Sequence, residues 1–195
     1  DLMNADVDLI FYDTTSLHFE VDEEDEAELG KRERRYPAQR KRGHSKNGRS
    51  DAPQIVIGLA VTRDGLPVRS WVFPGNTADV TTVERVKNDL RGWRLGRCVF
   101  VGDAGMNSEE NRRSLSLGAG KYILAAKMRA GDEVTHEVLT RPGRYHALKE
   151  NLRVKEVTVG DGERKRRYVV CHNPLEEERQ RKHRERLVAL LELEL

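Results

Sequence analysis

Residues 9–19, LIFYDTTSLHF, decide the fold class of this 195-residue chain. The run is apolar up to Tyr12 and then turns to Asp13 and hydroxyl side chains. A second segment, CVFVGDAGMNS at residues 98–108, follows the same pattern and carries Asp103 at the equivalent place. Apolar runs of this kind are typical of strands in the centre of a sheet that helices cover on both faces. We therefore expect two central β-strands, each ending in a lone aspartate.

The segments around these two runs predict an α/β fold. Residues 53–73 form a predicted β-hairpin that turns at Asp64-Gly65, a strong hairpin signal. A helix is expected from about Thr82 to Arg91, preceded by a capping box of Thr81 and Glu84. Ser108 should cap a second helix, and KYILAAK at residues 121–127 reads as a further buried strand. The order strand, hairpin, helix, strand, helix, strand predicts that the first, fourth and fifth strands are parallel.

The pattern changes around residue 131. The segments DEVTHEVLT, NLRVKEVTV and KRRYVVCH alternate between apolar and polar residues, which predicts antiparallel strands. Asn173 and Pro174 then suit the N-cap and first position of a long charged helix. We expect three parts: an α/β region at residues 1–130, a β-rich segment at 131–172, and the start of a charged helix at 173–195. We also expect the protein to continue beyond Leu195.

Charge is distributed in blocks along the chain. The 35 basic and 33 acidic residues nearly cancel, but an acidic run at residues 20–28 is followed directly by a basic run at residues 31–50. Such blocks are either solvated loops or, for the basic run, an arm that binds phosphate. No signal peptide, membrane span, zinc-type cysteine spacing or disulfide framework is present in the sequence, which favours a cytoplasmic protein.

Asp13 and Asp103 are the candidate chemical groups. Ligands of open α/β sheets bind beyond the carboxyl ends of the strands, and neighbouring strands lie roughly 4.8 Å apart. Two carboxylates that close repel each other unless a cation lies between them, and Mg²⁺ prefers such oxygen ligands. The alternative is that each aspartate is a turn residue that caps the loop after its strand. Both interpretations remain open on spacing alone.

Four motifs in chain order carry a resemblance to a known family. They are YDTT at residues 12–15, GHSKNGRSDAPQIVIGLAVTRDGLPV at 43–68, PGNTAD at 74–79 and VGDAGMNS at 101–108. Together they resemble the motifs of bacterial insertion-sequence transposases of the DDE type. The resemblance implies a ribonuclease H-like mixed sheet flanked by helices at residues 1–130, and it implies that the antiparallel β-rich segment is an insertion in that core.

The resemblance also implies roles for individual residues. Asp13 and Asp103 would be the first two catalytic acids and would bind Mg²⁺ or Mn²⁺. The third acid would be a glutamate on a helix after the insertion, and we expect it beyond Leu195, so that this chain alone is inactive. The residues implied to contact DNA are Gly43, His44, Ser45, Lys46, Arg49 and Asn76.

The implied function is metal-dependent DNA cleavage and strand transfer at the ends of an insertion sequence. Its partners would be the inverted repeats, target DNA and further copies of the chain in the synaptic complex, associated with the bacterial nucleoid. Two alternatives stay open: a nuclease or resolvase on the same fold, and a DNA-binding remnant of a transposase that has lost catalysis.

Overall fold

The computed structural model describes residues 8–26, 28–29, 35–36, 38–46, 48–92, 98–117, 120–128, 133–162 and 165–194. The chain divides into two compact units, residues 1–126 and 127–195. The strands of the first unit are β1 (Leu9–His18), β2 (Glu28–Leu29), β3 (Arg35–Tyr36), β4 (Gln54–Thr62), β5 (Pro67–Pro74), β6 (Val99–Gly102) and β7 (Lys121–Leu124). Its helices are α1 (Asp79–Gly92), a 3₁₀ turn (Ala104–Met106) and α2 (Glu109–Ser116).

The first unit is built on a mixed five-stranded sheet in the order β5-β4-β1-β6-β7. Strands β1, β6 and β7 are parallel to one another. Strands β4 and β5 form a hairpin, and β4 pairs antiparallel with β1. The first, fourth and fifth strands predicted from the sequence correspond to β1, β6 and β7, so their predicted parallel arrangement is confirmed. The fold class is also confirmed as an α/β, ribonuclease H-like mixed sheet with helices, together with a separate antiparallel sheet.

The end of β1 differs from the expectation. Asp13 does not end the strand, because pairing with β4 continues from Asp13 opposite Leu59 to His18 opposite Gln54. The residues after Asp13 include two threonines, which suit a strand as well as apolar residues do. Asp13 is consequently held in the middle of a ten-residue strand and is not a loop residue.

Only one face of β1 is buried, so the prediction of burial on both faces is wrong. Ile10, Tyr12 and Thr14 face the core, while Phe11 and Leu17 are 40% and 49% exposed. Helices α1 and α2 both contribute to the core that contains Ile10 and Tyr12. Because successive strand residues point to opposite faces, Asp13 shares the exposed face with Phe11.

Helix α1 begins three residues earlier than predicted. It starts at Asp79, and the hydroxyl of Thr81 donates to the carbonyl of Ala78, so Thr81 is not the N-cap. A carboxylate in the first turn is favourable there because the N-terminus of a helix carries partial positive charge. The predicted inward stripe is confirmed: Val83, Val86 and Leu90 belong to the core cluster.

The second unit contains β8 (His146–Lys149), β9 (Leu152–Val159), β10 (Arg166–His172) and α3 (Pro174–Glu194). The strands form an antiparallel sheet in the order β10-β9-β8. Asn173 caps α3 as predicted, since its Oδ1 accepts from the backbone N–H of Glu176 at 3.0 Å. In the part of the chain that the structure describes, no helix has both the length and the apolar character needed to cross a membrane.

The segment DEVTHEVLT is helical in its described part, which corrects the strand prediction. Residues Val134–Val138 form a π-type turn closed by the bond from Leu139 N–H to the Val134 carbonyl, 2.9 Å. Residues four positions apart lie on the same side of a helix, so Val134 and Val138 share a side that His136 does not face. Both valines pack on the cluster formed with Val157 of β9, and this packing overrides the alternating pattern.

Candidate active site

The register between β1 and β6 relates the two predicted aspartates. Leu9 pairs with Val99 and Phe11 with Val101, in parallel. Strand β1 continues through Asp13, whereas β6 ends at Gly102, so that Asp103 follows directly after the strand that neighbours β1. The side chain of Asp13 is 76% exposed, and Asp103 is exposed as well. Residues 13 and 103, which are 90 positions apart in the chain, therefore belong to neighbouring parts of the sheet, with Asp13 on β1 and Asp103 directly after β6.

Asp103 lies directly after β6 and also caps the turn that follows. Its Oδ1 accepts from the backbone N–H groups of Gly105 and Met106, at 3.0 and 3.2 Å. Met106 is fully buried beneath this turn. Capping of the turn, as one of the two interpretations expected, thus uses one carboxylate oxygen of Asp103. It does not conflict with a role as a ligand, because a carboxylate can accept several bonds at once.

Asp79 lies close to the residues that adjoin both of these aspartates. Its Oδ1 accepts from the hydroxyl of Thr14 at 2.6 Å, one residue after Asp13. A Cβ placed on Gly105 would lie 3.4 Å from Asp79 Oδ2 and 3.2 Å from Asp103 Oδ1. Gly105 therefore separates the two carboxylates, and a larger residue there would crowd both.

Lys46 is a cation close to two of these aspartates, Asp13 and Asp79. Its Nζ lies 3.5 Å from Asp79 Oδ2 and 4.0 Å from Asp13 Oδ1. It also donates to Thr14, to the backbone carbonyl and, at 3.0 Å, to the hydroxyl. The predicted DNA-contacting lysine is thus brought to the predicted metal-binding aspartate, although 33 positions separate residues 13 and 46 in the chain.

The segment around Gly43 packs on the turn around Asn76. A Cβ on Gly43 would lie 2.3 Å from the carbonyl oxygen of Gly75 and 2.9 Å from the Cα of Asn76, so only glycine fits. Gln54, which is fully buried, joins the same two segments: its Nε2 donates to the carbonyls of His44 at 3.2 Å and Gly75 at 2.8 Å. The two segments predicted to contact DNA therefore form one surface, on which His44 and Asn76 are exposed.

Described residues of the acidic run pair with described residues of the basic run. Asp25 accepts from Arg40, with the guanidinium Nε at 2.6 Å, and Glu24 accepts from the Arg42 N–H at 2.6 Å and from Lys41 Nζ at 3.1 Å. These contacts lower the pKa values of both carboxyls. Residues 24 and 25 of the acidic run are therefore paired with residues 40–42 of the basic run.

Arg49 takes part in the same charge pairing. Its guanidinium bonds both Asp51, with Nε to Oδ1 at 3.0 Å, and Glu20, with Nη1 to Oε1 at 3.1 Å. Ser45 lies between His44 and Lys46 and is partly buried. The positions predicted to contact DNA thus fall into two groups. Residues 43–46 and Asn76 lie together near Asp79, whereas Arg49 lies with the acidic run.

Three residues that hold the segments of this region together were not identified from the sequence. Asp79 stands at the end of PGNTAD, where it reads as a turn residue. Gln54 and Asn111 lie within a predicted strand and a predicted helix, and nothing in their local sequence distinguishes them. Asn111 is buried and donates from Nδ2 to the carbonyls of Val80 and Met106, both at 2.8 Å. Only the tertiary contacts identify these three.

The arrangement offers carboxylate oxygens next to a lysine and an exposed loop. Carboxylate oxygens suit hard divalent ions such as Mg²⁺, and lysine and backbone N–H groups suit phosphate. Within the described ranges, no group of three or more His, Cys, Asp or Glu side chains is placed to hold a metal ion. Asp13 and Asp103 thus provide at most part of a coordination sphere.

Comparison with known proteins assigns the family. The family model described as the transposase DDE domain matches residues 10–188, which is most of the chain. Searches of curated proteins and of solved structures each gave no match. The matched range includes β1 with Asp13, the 43–46 loop and Asp103. The chain therefore belongs to the DDE transposases, the family whose members carry out polynucleotidyl transfer on DNA.

Proposed function

We propose that this chain contributes the catalytic core of an insertion-sequence transposase that cleaves DNA at the ends of its element and joins those ends to target DNA. Family membership supports transposition as the general function. The observation that supports the specific proposal is the parallel pairing of β1 with β6, because Asp13 lies on β1 and Asp103 follows directly after β6. In this proposal the unit at residues 127–195 contains the insertion in the core.

Asp13 and Asp103 are proposed to hold a divalent ion, Mg²⁺ or Mn²⁺. Both side chains are exposed, so an ion and a phosphate can reach them, and their oxygens are hard ligands. The remaining ligands would be water, phosphate oxygens and a third acidic side chain. A bound ion supplies neutralisation of phosphate charge and activation of an attacking oxygen.

The residues around the aspartates are proposed to hold the DNA backbone. Lys46 and the exposed loop at residues 43–46 face phosphate oxygens, and the turn at Asn76 extends the same surface. In the cleavage step a water oxygen replaces the 3′ oxygen on phosphorus, and the leaving oxygen takes a proton. In the joining step that 3′-hydroxyl replaces an oxygen on a target phosphorus, so one P–O bond forms as another breaks.

The test is a cleavage and strand-transfer assay on the intact protein with DNA that carries the ends of its own element. We expect cleavage and joined products that need Mg²⁺ or Mn²⁺ and that are lost in Asp13→Asn and Asp103→Asn. Asp64→Asn, in the exposed hairpin turn, is the matched control and should retain activity. Cutting without joining would instead favour the nuclease, and DNA binding without cutting would favour the remnant. Full activity of either aspartate variant would refute the site.

A further inference from the structure

The ammonium group of Lys46 is held by residues from two elements. It donates to both oxygens of Thr14 on β1 and lies 3.5 Å from the carboxylate of Asp79 on α1. Thr14 in turn donates its hydroxyl to Asp79 at 2.6 Å. Lys46, Thr14 and Asp79 thus each contact the other two. The Lys46 ammonium also lies 4.0 Å from the carboxylate of Asp13.

Within this set Asp79 is the fixed member. It is the first residue of α1, and its own carbonyl accepts from the hydroxyl of Thr82 at 2.8 Å. The next residue, Val80, is tied to α2 by Asn111. The side chain of Asp79 is 23% exposed, against 39% for Lys46, which lies on a loop. The more buried carboxylate, on the first turn of a helix, is therefore placed to fix the position of the lysine ammonium.

We propose that Asp79 is a positioning residue that holds the Lys46 ammonium beside Asp13, where it contacts a phosphate of the DNA substrate. A lysine side chain loses rotamer freedom when it is ordered. Contacts with Asp79 and Thr14 order it before DNA arrives, so less of that entropy is lost on binding. This inference rests on the proposed function, because it assumes that a DNA phosphate occupies the region in front of Asp13.

The inference makes a prediction of unusual sign. Removing a carboxylate near bound DNA normally strengthens binding, because one repulsive charge is lost. If Asp79 positions Lys46, then Asp79→Asn weakens binding instead. Asparagine keeps an oxygen that can accept from Thr14, so this variant removes the charge with little change in packing. Glu84→Gln, at an exposed position of the same helix, is the matched control for loss of charge alone.

The experiment is a double-mutant cycle on the intact protein, with binding of a fluorescein-labelled duplex measured by fluorescence anisotropy. Lys46→Met should weaken binding about three- to tenfold, as expected for one phosphate contact, and reduce the salt slope by about 1. Asp79→Asn should weaken binding by a similar factor in the wild-type background and by none in the Lys46→Met background. Glu84→Gln should leave binding unchanged or stronger.

The inference is refuted if Asp79→Asn strengthens binding as Glu84→Gln does, or weakens it equally in both backgrounds. Thr14→Val, which removes the bridging hydroxyl, is a second variant expected to weaken binding only when Lys46 is present. Urea unfolding of each variant separates a folding defect from a positioning defect. If the wild-type protein binds DNA but never cleaves it, the proposed function fails while the cycle still decides the role of Asp79. If it binds no DNA, this inference fails too.

Discussion

Asn111 and Val80 are joined by a hydrogen bond of 2.8 Å that ties the first turn of α1 to α2. The same Nδ2 donates to the carbonyl of Met106, in the turn that Asp103 caps. One buried amide thus holds the segment with Asp79 against the segment with Asp103. Asn111 therefore links the segments that carry these two acidic residues.

Asn111→Ala should destabilise the first unit by about 1–3 kcal/mol, because the bonds to the Val80 and Met106 carbonyls are lost from a buried amide. The measurement is the free energy of unfolding from urea denaturation. Arg113→Ala, at an exposed position of the same helix, is the control and should change stability by no more than about 0.5 kcal/mol. Equal stabilities for the two variants would contradict the role assigned to Asn111.

Gly58 should not tolerate a side chain. A Cβ there would lie 2.5 Å from the hydroxyl oxygen of Tyr12 and 2.9 Å from its Cε2. Both residues are held by paired strands, so Gly58→Ala should cost about 1–3 kcal/mol of unfolding free energy. Gly143→Ala is the control, since its Cβ would make ordinary contact with Lys155 at 3.5 Å. Adding Tyr12→Phe should recover part of the loss by removing the nearest atom; no recovery would point to another cause.

Gln54→Ala should loosen the loop that carries Lys46. The carbonyls of His44 and Gly75 lose a buried donor, and each such bond is worth about 1 kcal/mol. We expect faster amide hydrogen exchange at residues 43–46 and 75–77 and weaker DNA binding. Gln180→Ala, on the exposed surface of α3, should leave exchange in these segments unchanged. Unaltered exchange in Gln54→Ala would show that other contacts hold the loop.

Acidification should separate the acidic segment from the basic one. The hydrogen bonds from Arg40 to Asp25 and from the Arg42 N–H to Glu24 hold the pKa values of both carboxyls below their ordinary range. Because these pKa values are lower in the folded protein, the pairing contributes stability above the ordinary carboxyl range. That contribution is lost as the pH falls through the lowered values.

Carboxyl NMR titration measures both pKa values directly. In Arg40→Gln the pKa of Asp25 should return toward its ordinary value, while that of Glu24 stays low. An ordinary pKa for Asp25 in the wild-type protein would mean that its pairing with Arg40 is absent in solution.

Tyr12 should ionise only at strongly alkaline pH. Burial raises the pKa of its hydroxyl to about 12, and the carboxylates of Asp79 and Asp13 act in the same direction. Because the folded pKa is the higher one, this contribution to stability is complete below about pH 10, the ordinary pKa of tyrosine, and is lost as the pH rises through the folded pKa of about 12. The pKa is measured by titrating tyrosinate absorbance against pH in the wild-type protein and in Tyr12→Phe. The difference between the two curves isolates Tyr12, and a midpoint near pH 10 would contradict the burial of its hydroxyl.

Local sequence patterns predicted much of the first unit. The hairpin around Asp64-Gly65, the stripe of α1 and the cap at Ser108 depend on neighbours within a few residues, and all three are present. The boundary of β1 was predicted wrongly, because pairing with β4 extends the strand past Asp13. The helical turn at Val134 was missed for a similar reason: packing on β9 outweighs local alternation.

The sequence by itself determined the order of the five strands and two helices around the main sheet of the first unit, the parallel arrangement of three of those strands and the two aspartates worth testing, because periodicity, turn residues and motifs are local. Tertiary structure alone decided that Asp79, Lys46 and Thr14 meet next to Asp13, and that the acidic run folds onto the basic run. These contacts join residues from 15 to 65 positions apart. Such contacts leave no local periodicity, since they arise only when strands pair and a helix packs across them.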